Sequence, residues 1–119
     1  MYDHIGLRVK DLAASARLYE AVLAPLGFVK GSAGEGYAGF GPKDAPALWL
    51  HADKGRDHGA HVCFKAPSRA AVDAFHTAGL KAGAKDNGKP GLRPDYSPGY
   101  YAAFLTDLDG NNIEAVCHK

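Results

Sequence analysis

Two stretches of the chain, residues 4–27 and 61–84, repeat one pattern, and this repeat constrains the fold more than any other feature. Superposed, they place His4 on His61, and they place one candidate helix N-cap, Asp11, on another, Ser68. Caps and apolar positions coincide in many helices, but a histidine that falls on a histidine is harder to attribute to chance. Because one unit of this size cannot bury both faces of its sheet alone, the repeat predicts two βαβββ modules that pack together.

Hydrophobic periodicity predicts the strands and helices of each module. Apolar residues at helical spacing follow Asp11 up to Gly27, and the same spacing recurs after Ser68. The segment 86–99 is rich in glycine and proline, which predicts a loop. The buried stripe of the second helix is predicted to be Val72, Phe75 and Leu80. Strands are predicted at residues 2–9, 37–40, 47–52, 60–66, 100–107 and 111–118.

The composition is that of one globular domain. The 119 residues are enough for one compact domain, which we expect to contain modules at about 1–53 and 59–119 and a linker at about 54–58. A net charge of +1 provides no attraction for nucleic acid or an anionic membrane, and no apolar run approaches the ~20 residues of a membrane span. The two cysteines form no CxxC pair, so a reduced, cytoplasmic location is expected.

The chain opens with "DHIGLRVKDLAASARLYEAVLAPLGF" and closes with "AFLTDLDGNNIEAV". Together these segments resemble the vicinal oxygen chelate superfamily, which includes glyoxalase I, extradiol ring-cleaving dioxygenases, fosfomycin-resistance proteins and bleomycin-binding proteins. The resemblance covers nearly the whole chain. It implies an α+β fold in which two βαβββ modules form a cup-shaped, barrel-like sheet around a divalent metal ion.

The resemblance also implies the metal ligands. His4 and His61 stand on the first strands of the two modules, and Glu114 stands on the last strand of the second. Glyoxalase I has a glutamate at a fourth place, on which Trp49 falls here, and Trp49 cannot ligate a cation. His51, two residues further on the same strand face, is an alternative fourth ligand. Two imidazoles and one carboxylate suit iron, nickel, cobalt, zinc or manganese with positions left open for substrate or water.

Arg8 is the first candidate for contacting the substrate. It shares a strand face with His4, and in glyoxalase I an arginine at that relative position binds an anionic part of the substrate. The alternative is a salt bridge with an acidic residue at the sheet edge. Trp49 and His51 are further candidates for lining the substrate cavity.

The segment "RPDYSPGYY", residues 93–101, supplies the candidate catalytic hydroxyl. Tyr96 is the first choice as a proton donor or substrate-orienting group, alongside Glu114, and Tyr100 or Tyr101 would contact the substrate. In the alternative, these tyrosines pack the end of the barrel with their hydroxyls in water.

The remaining histidines and the first cysteine receive structural interpretations. We expect His58, His76 and His118 to be solvated, on the linker, a helix and the terminus respectively. Cys63 alternates with His61 and can face the cavity, but a small buried apolar role is the expectation.

These observations predict a divalent-metal-binding protein, with glyoxalase-like lyase or isomerase activity on a small substrate that chelates the metal through adjacent oxygens. One alternative is an extradiol-type ring-cleaving dioxygenase, and another is a non-catalytic small-molecule-binding or resistance protein. As in several short relatives, we expect a homodimer in which His4 faces His61 and Glu114 of the partner subunit. No nucleic-acid or membrane partner is expected.

Overall fold

The computed structural model describes residues 1, 3–54 and 59–119. Residues 55–58 of the expected linker at 54–58, which include His58, therefore lie outside the described residues. A short 3₁₀ turn, Ala24–Leu26, follows the first helix. In chain order the elements are β1 (Ile5–Val9), α1 (Leu12–Leu23), β2 (Val29–Gly34), β3 (Tyr37–Gly41), β4 (Leu48–Ala52), β5 (His61–Lys65), α2 (Arg69–Lys81), β6 (Lys85–Leu92), β7 (Tyr101–Thr106) and β8 (Asn112–Cys117).

Each half of the chain forms a strand–helix–three-strand unit. The described strands make two four-stranded sheets, ordered β1-β4-β3-β2 and β5-β8-β7-β6. The first strand of each unit pairs in parallel with the last, and the other neighbours are antiparallel. The predicted α+β fold of two βαβββ modules is confirmed, and we call them module one and module two.

The two helices begin at the predicted N-caps. The side chain of Asp11 accepts a hydrogen bond from the Ala14 amide at 3.0 Å, and Ser68 accepts one from the Ala71 amide at 3.1 Å. Each helix packs on one face of its own sheet, and α1 packs against α2. The other face of each sheet is covered by neither helix, and we call it the open face. Among the described residues, no helix is long and apolar enough to cross a membrane.

A buried polar network joins module one to the hairpin between β7 and β8. The hydroxyl of Tyr19 donates to Oδ2 of Asp107 at 2.7 Å, and the amide and side chain of Asn111 donate to the same carboxylate at 2.8 and 2.9 Å. Asn111 Oδ1 in turn accepts from the Ala60 amide at 3.1 Å. The network therefore fixes the starts of β8 and β5 relative to each other.

The prediction of a loop at 86–99 is wrong over the first half of the segment, because β6 pairs with β7 there. This strand lies at the edge of its sheet and has register shifts around Gly88, whose φ is +155°. An edge strand tolerates Pro90, which has no amide hydrogen, and bulges interrupt the alternation that periodicity detects. The glycine-rich β2 was not predicted either, and it also contains a register shift.

Two expectations for α2 are also wrong. His76 is only 7% exposed, and its Nε2 lies 2.9 Å from Oδ1 of Asp86, because it follows Val72 by one helical turn and faces β6. Leu80, expected in the buried stripe, is 44% exposed. His118 is exposed, as expected.

Candidate functional site

Strand register places corresponding rows of side chains on the two open faces. In module two the row is Cys63, Glu114, Phe104 and Gly88, read across β5, β8, β7 and β6. In module one the corresponding row is Gly6, Trp49, Gly39 and Ser32. Trp49 thus stands where module two has Glu114, at the place that the resemblance implied for a fourth ligand.

A hydrogen-bonded cluster surrounds Glu114 on the open face of module two. The side chain of Glu114 is 4% exposed, and its Oε1 lies 2.9 Å from Nε2 of His61. Its Oε2 accepts a hydrogen bond from the hydroxyl of Tyr100 at 2.5 Å. A buried carboxylate without partners is costly, and here both oxygens are engaged.

The neighbours of His61 orient its ring. Asn112 is the register partner of His61, and its Nδ2 lies 3.3 Å from Nδ1 of that ring. Because Nδ1 faces this amide, Nε2 is the ring nitrogen directed at Glu114. The ring is about half exposed, so one side of the pair is buried and the other is open to a ligand.

Two further groups near Glu114 hold their protons at neutral pH. Partial burial, followed by the charge of Glu114, raises the pKa of the Cys63 thiol to about 12. Burial and the hydrogen bond to Glu114 also raise the pKa of Tyr100. Cys63 lies on the open face with part of its surface exposed, so the expectation of a small buried apolar residue is wrong.

The structure separates the three tyrosines expected at the site. Tyr100 contacts Glu114 directly, and Tyr96 packs edge-on against Tyr100 at 5.1 Å with 63% of its own surface exposed. Tyr101 lies on the helix-covered face, where its hydroxyl donates to Asp73 of α2 at 2.6 Å. The alternation of side chains along β7 therefore excludes Tyr101 from this cluster.

The structure does not bring His4 to the His61–Glu114 pair within one chain. His4 is exposed, and its Nδ1 lies 2.7 Å from Oδ1 of Asp3. It lines the same apolar cavity of about 220 Å³ as Cys63. Within 3–54 and 59–119, however, no three His, Cys, Asp or Glu side chains are grouped closely enough to hold a metal ion.

The open face of module one carries the other predicted contact residues. Arg8 donates from Nη1 to Oδ2 of Asp53 at 3.1 Å, the salt bridge considered as its alternative, and 59% of its side chain remains exposed. His51 is the register partner of Arg8 and is also exposed. These residues and Trp49 share the open face of module one, whereas Glu114 lies on the sheet of module two.

Sequence reasoning missed Asn112 and the exposed position of Cys63. The signal for Cys63 was available, since alternation from His61 already placed it on the open face. Asn112 gave no such signal, because its role follows from the register between β5 and β8.

Comparison with known proteins places the chain among relatives of the same architecture. The sequence model described as Glyoxalase/Bleomycin resistance protein/Dioxygenase superfamily matches residues 2–115. No curated protein matches the chain.

Among solved structures, 140 chains match. A glyoxalase/bleomycin resistance protein from Albidiferax ferrireducens T118 is 30% identical, with a TM-score of 0.87 and 98% of both chains covered. A glyoxalase/bleomycin resistance protein/dioxygenase family enzyme from Burkholderia phytofirmans PsJN shares the fold at 17% identity and a TM-score of 0.76, over 98% of both chains. A glyoxalase-related enzyme from Fulvimarina pelagi does so at 18% identity and a TM-score of 0.74, over 95% of this chain and 84% of that one.

Proposed function

Because the chain belongs to the glyoxalase/bleomycin resistance protein/dioxygenase superfamily, we propose that it binds a divalent transition-metal ion and a small molecule that chelates the ion through adjacent oxygens. We propose lyase or isomerase chemistry on that molecule. The observation that carries the proposal is the His61–Glu114 pair, in which a half-exposed imidazole and a buried carboxylate converge at 2.9 Å on an open sheet face.

The donor set fits a borderline metal ion. An imidazole nitrogen and a carboxylate oxygen suit iron, manganese, nickel, cobalt or zinc, and geometry and availability decide among these ions more than raw affinity. Glu114 is held by Tyr100 on its other oxygen, which is the outer-sphere support that carboxylate ligands commonly receive.

The third ligand in this proposal is His4 from a second copy of the chain. His4 occupies on module one the position that His61 occupies on module two, and it is exposed. In a twofold homodimer, His4 would face His61 and Glu114 of the partner subunit, so that each dimer has two shared sites. Uncovered sheet faces and edges of the kind seen in both modules favour such an association.

The residues of the chain divide the chemistry between them. A bound ion would polarise the two adjacent oxygens of the substrate. Glu114 accepts hydrogen bonds from Tyr100 and His61, which fixes its orientation. Tyr96 extends into solvent from the ring of Tyr100 and is the candidate to donate a proton to the substrate. Trp49 supplies no donor, which argues against a four-ligand site of the glyoxalase I type.

A second candidate is a non-catalytic small-molecule-binding protein. Both oxygens of Glu114 already have partners from this chain, so the cluster is stable as a hydrogen-bonded unit. Trp49 at the place of a fourth ligand also adds apolar surface for a ligand without adding metal affinity.

Metal binding by tag-free protein tests the proposal. We expect about one ion per chain when the apoprotein is titrated with Mn²⁺, Fe²⁺, Co²⁺, Ni²⁺ or Zn²⁺ and measured by calorimetry. Iron in protein purified without added metal would favour the dioxygenase alternative. Nickel, cobalt or zinc would favour lyase or isomerase chemistry. Protein that binds none of these ions would contradict the proposal and favour the second candidate.

Substitutions locate the ion on the described pair. Glu114→Gln keeps the shape of the side chain but removes its charge, and we expect at least about a tenfold loss of metal affinity with the fold intact. Tyr100→Phe should weaken metal binding about tenfold, because Oε2 of Glu114 loses the hydrogen bond that orients the carboxylate. Tyr96→Phe should change metal affinity less than twofold. Glu20→Gln, an exposed carboxylate on α1, is the matched control and should bind as wild type. Wild-type affinity in Glu114→Gln would show that Glu114 is not a ligand.

A further inference from the structure

Two adjacent rows of residues cross the strands on the open face of module one. Arg8, His51, Tyr37 and Gly34 form one row across β1, β4, β3 and β2. Two residues along each strand, about 6.7 Å away, lies the row that contains Trp49 with Gly6 and Gly39 at its sides. Trp49 is therefore flanked on both neighbouring strands by positions without a side chain.

The rings on this face lie against glycines. The six-membered ring of Trp49 covers Gly39, where an added Cβ would come within 2.5 Å of Cζ3. The ring of Tyr37 covers Gly34 in the same way, at 2.6 Å. The Tyr37 and Trp49 ring centroids are 6.2 Å apart, and Tyr37 remains 38% exposed. The two rings are inclined at 50° to each other and form an aromatic patch on a sheet face that α1 does not cover.

Packing of aromatic rings over strand glycines stabilises a sheet by itself, and this accounts for the ring faces that lie against Gly39 and Gly34. It does not explain the polar side chains of Arg8 and His51 beside them. Arg8 is anchored through Nη1 to Asp53 while more than half of its side chain is exposed, and His51 stands beside it with its ring near Gly6. A guanidinium fixed in the row next to the planar indole ring of Trp49 is complementary to a planar molecule with one anionic group.

We propose that the open face of module one binds a planar aromatic acid, whose ring stacks on Trp49 and whose carboxylate is bound by Arg8. The spacing of about 6.7 Å between the rows matches a ring centred on Trp49 with its carboxylate directed along the strands toward the Arg8–His51 pair. The inference rests on the proposed function, since it specifies the class of small molecule bound opposite the metal ligands of the partner subunit.

Three matched probes separate the two parts of this recognition. Benzoate is planar and anionic, cyclohexanecarboxylate is anionic but not planar, and benzamide is planar but neutral. Trp49 is the only tryptophan of the chain, so its fluorescence reports on ligands that stack against it. We expect benzoate to change this fluorescence with saturation, and to bind about three- to tenfold more tightly than cyclohexanecarboxylate. Benzamide should bind about tenfold more weakly than benzoate.

Substitutions then assign the contacts, with affinities measured from the chemical shifts of ¹⁵N-labelled protein. Arg8→Gln should lose about tenfold for benzoate and less than twofold for benzamide. Lys30→Gln removes a cation from the helix-covered face of the same sheet, where it pairs with Glu20, and should change neither. Trp49→Leu should abolish the preference for benzoate over cyclohexanecarboxylate, and Trp49→Phe should retain most of it.

Failure of this inference is distinguishable from failure of the metal site, because Mn²⁺ binding is measured on the same preparations. Normal Mn²⁺ binding together with equal affinities for the two acids, or with an unchanged preference in Trp49→Leu, would overturn the aromatic-acid site alone. Selective benzoate binding without Mn²⁺ binding would support this site and contradict the metal proposal. Absence of benzoate binding at millimolar concentrations would overturn the inference whatever the metal result.

Discussion

The hydrogen bond from Tyr19 to Asp107 should contribute strongly to stability, and Tyr19→Phe tests this. Tyr19 is fully buried and Asp107 is 5% exposed, so the hydroxyl and the carboxylate have little access to water. Burial and the neighbouring Asp107 carboxylate raise the pKa of Tyr19, which keeps its proton in the bond. The substitution removes one of the donors to a buried charge and leaves the ring in the core.

The magnitude follows from the charge and burial of the acceptor. A hydrogen bond to a charged group contributes about 1.5–3 kcal/mol, and the remaining donors from Asp109 and Asn111 retain part of the solvation of Asp107. We therefore expect Tyr19→Phe to lower the free energy of unfolding by about 2 kcal/mol. The same change at Tyr101, whose hydroxyl bonds to Asp73 at the surface, should cost about 0.5 kcal/mol or less.

Urea denaturation at neutral pH measures both variants. The two substitutions remove the same atom from bonds of 2.7 and 2.6 Å to an aspartate, so the comparison isolates burial. Tyr19→Phe should shift the midpoint with an unchanged m-value, which indicates a change of stability rather than of compactness. Equal losses in Tyr19→Phe and Tyr101→Phe would show that burial of the network does not determine its contribution to stability.

Two further predictions concern α2. The hydrogen bond to His76 is the main cause of a lowered pKa at Asp86, so its stabilisation is complete above the ordinary value of 3.8 and is lost as pH falls through the lower folded-state pKa. Urea midpoints measured from neutral pH to below pH 3.8 should fall less steeply in Asp86→Asn, and parallel curves would contradict this. Gly79→Ala should destabilise by about 1 kcal/mol despite the better helix propensity of alanine, because the added Cβ would overlap Leu105 and approach Val22 at 3.1 Å. A higher urea midpoint in that variant would show that the packing relaxes at no cost.

The sequence predicted the architecture because the repeat carries its strongest signals in the parts of each module that do not depend on distant partners. The N-caps Asp11 and Ser68 satisfy backbone donors within their own helices, and they appear where expected. Alternation also predicted the last strand of module two correctly, and Glu114 on this strand is buried. These features are local, or have a period that a buried face imposes.

The errors occur where distant segments decide the outcome. Edge strand β6 exists because β7 lies beside it, and its glycines and Pro90 give no alternation to detect. Its position in turn buries His76. Among the tyrosines, register alone distinguishes Tyr100, which contacts Glu114, from Tyr101, which faces α2. The convergence of His4 with the His61–Glu114 pair is implied by the resemblance and expected across two subunits, and it stays a prediction because the described residues belong to one chain.

A mixed dimer tests whether the metal site is shared between two copies of the chain. A His4→Ala chain paired with a Glu114→Ala chain has one site that lacks both residues. The other site receives His4 from the Glu114→Ala chain, and it receives His61 and Glu114 from the His4→Ala chain, so it is complete. The two variants can carry different removable tags, which allows the heterodimer to be isolated and verified before Mn²⁺ titration.

Each variant homodimer should bind Mn²⁺ at least about tenfold more weakly than wild type, because both of its sites lack a ligand. The verified heterodimer should recover one site of wild-type affinity. A verified heterodimer with no recovered site would contradict this expectation and show that His4 does not complete the His61–Glu114 pair across the subunits.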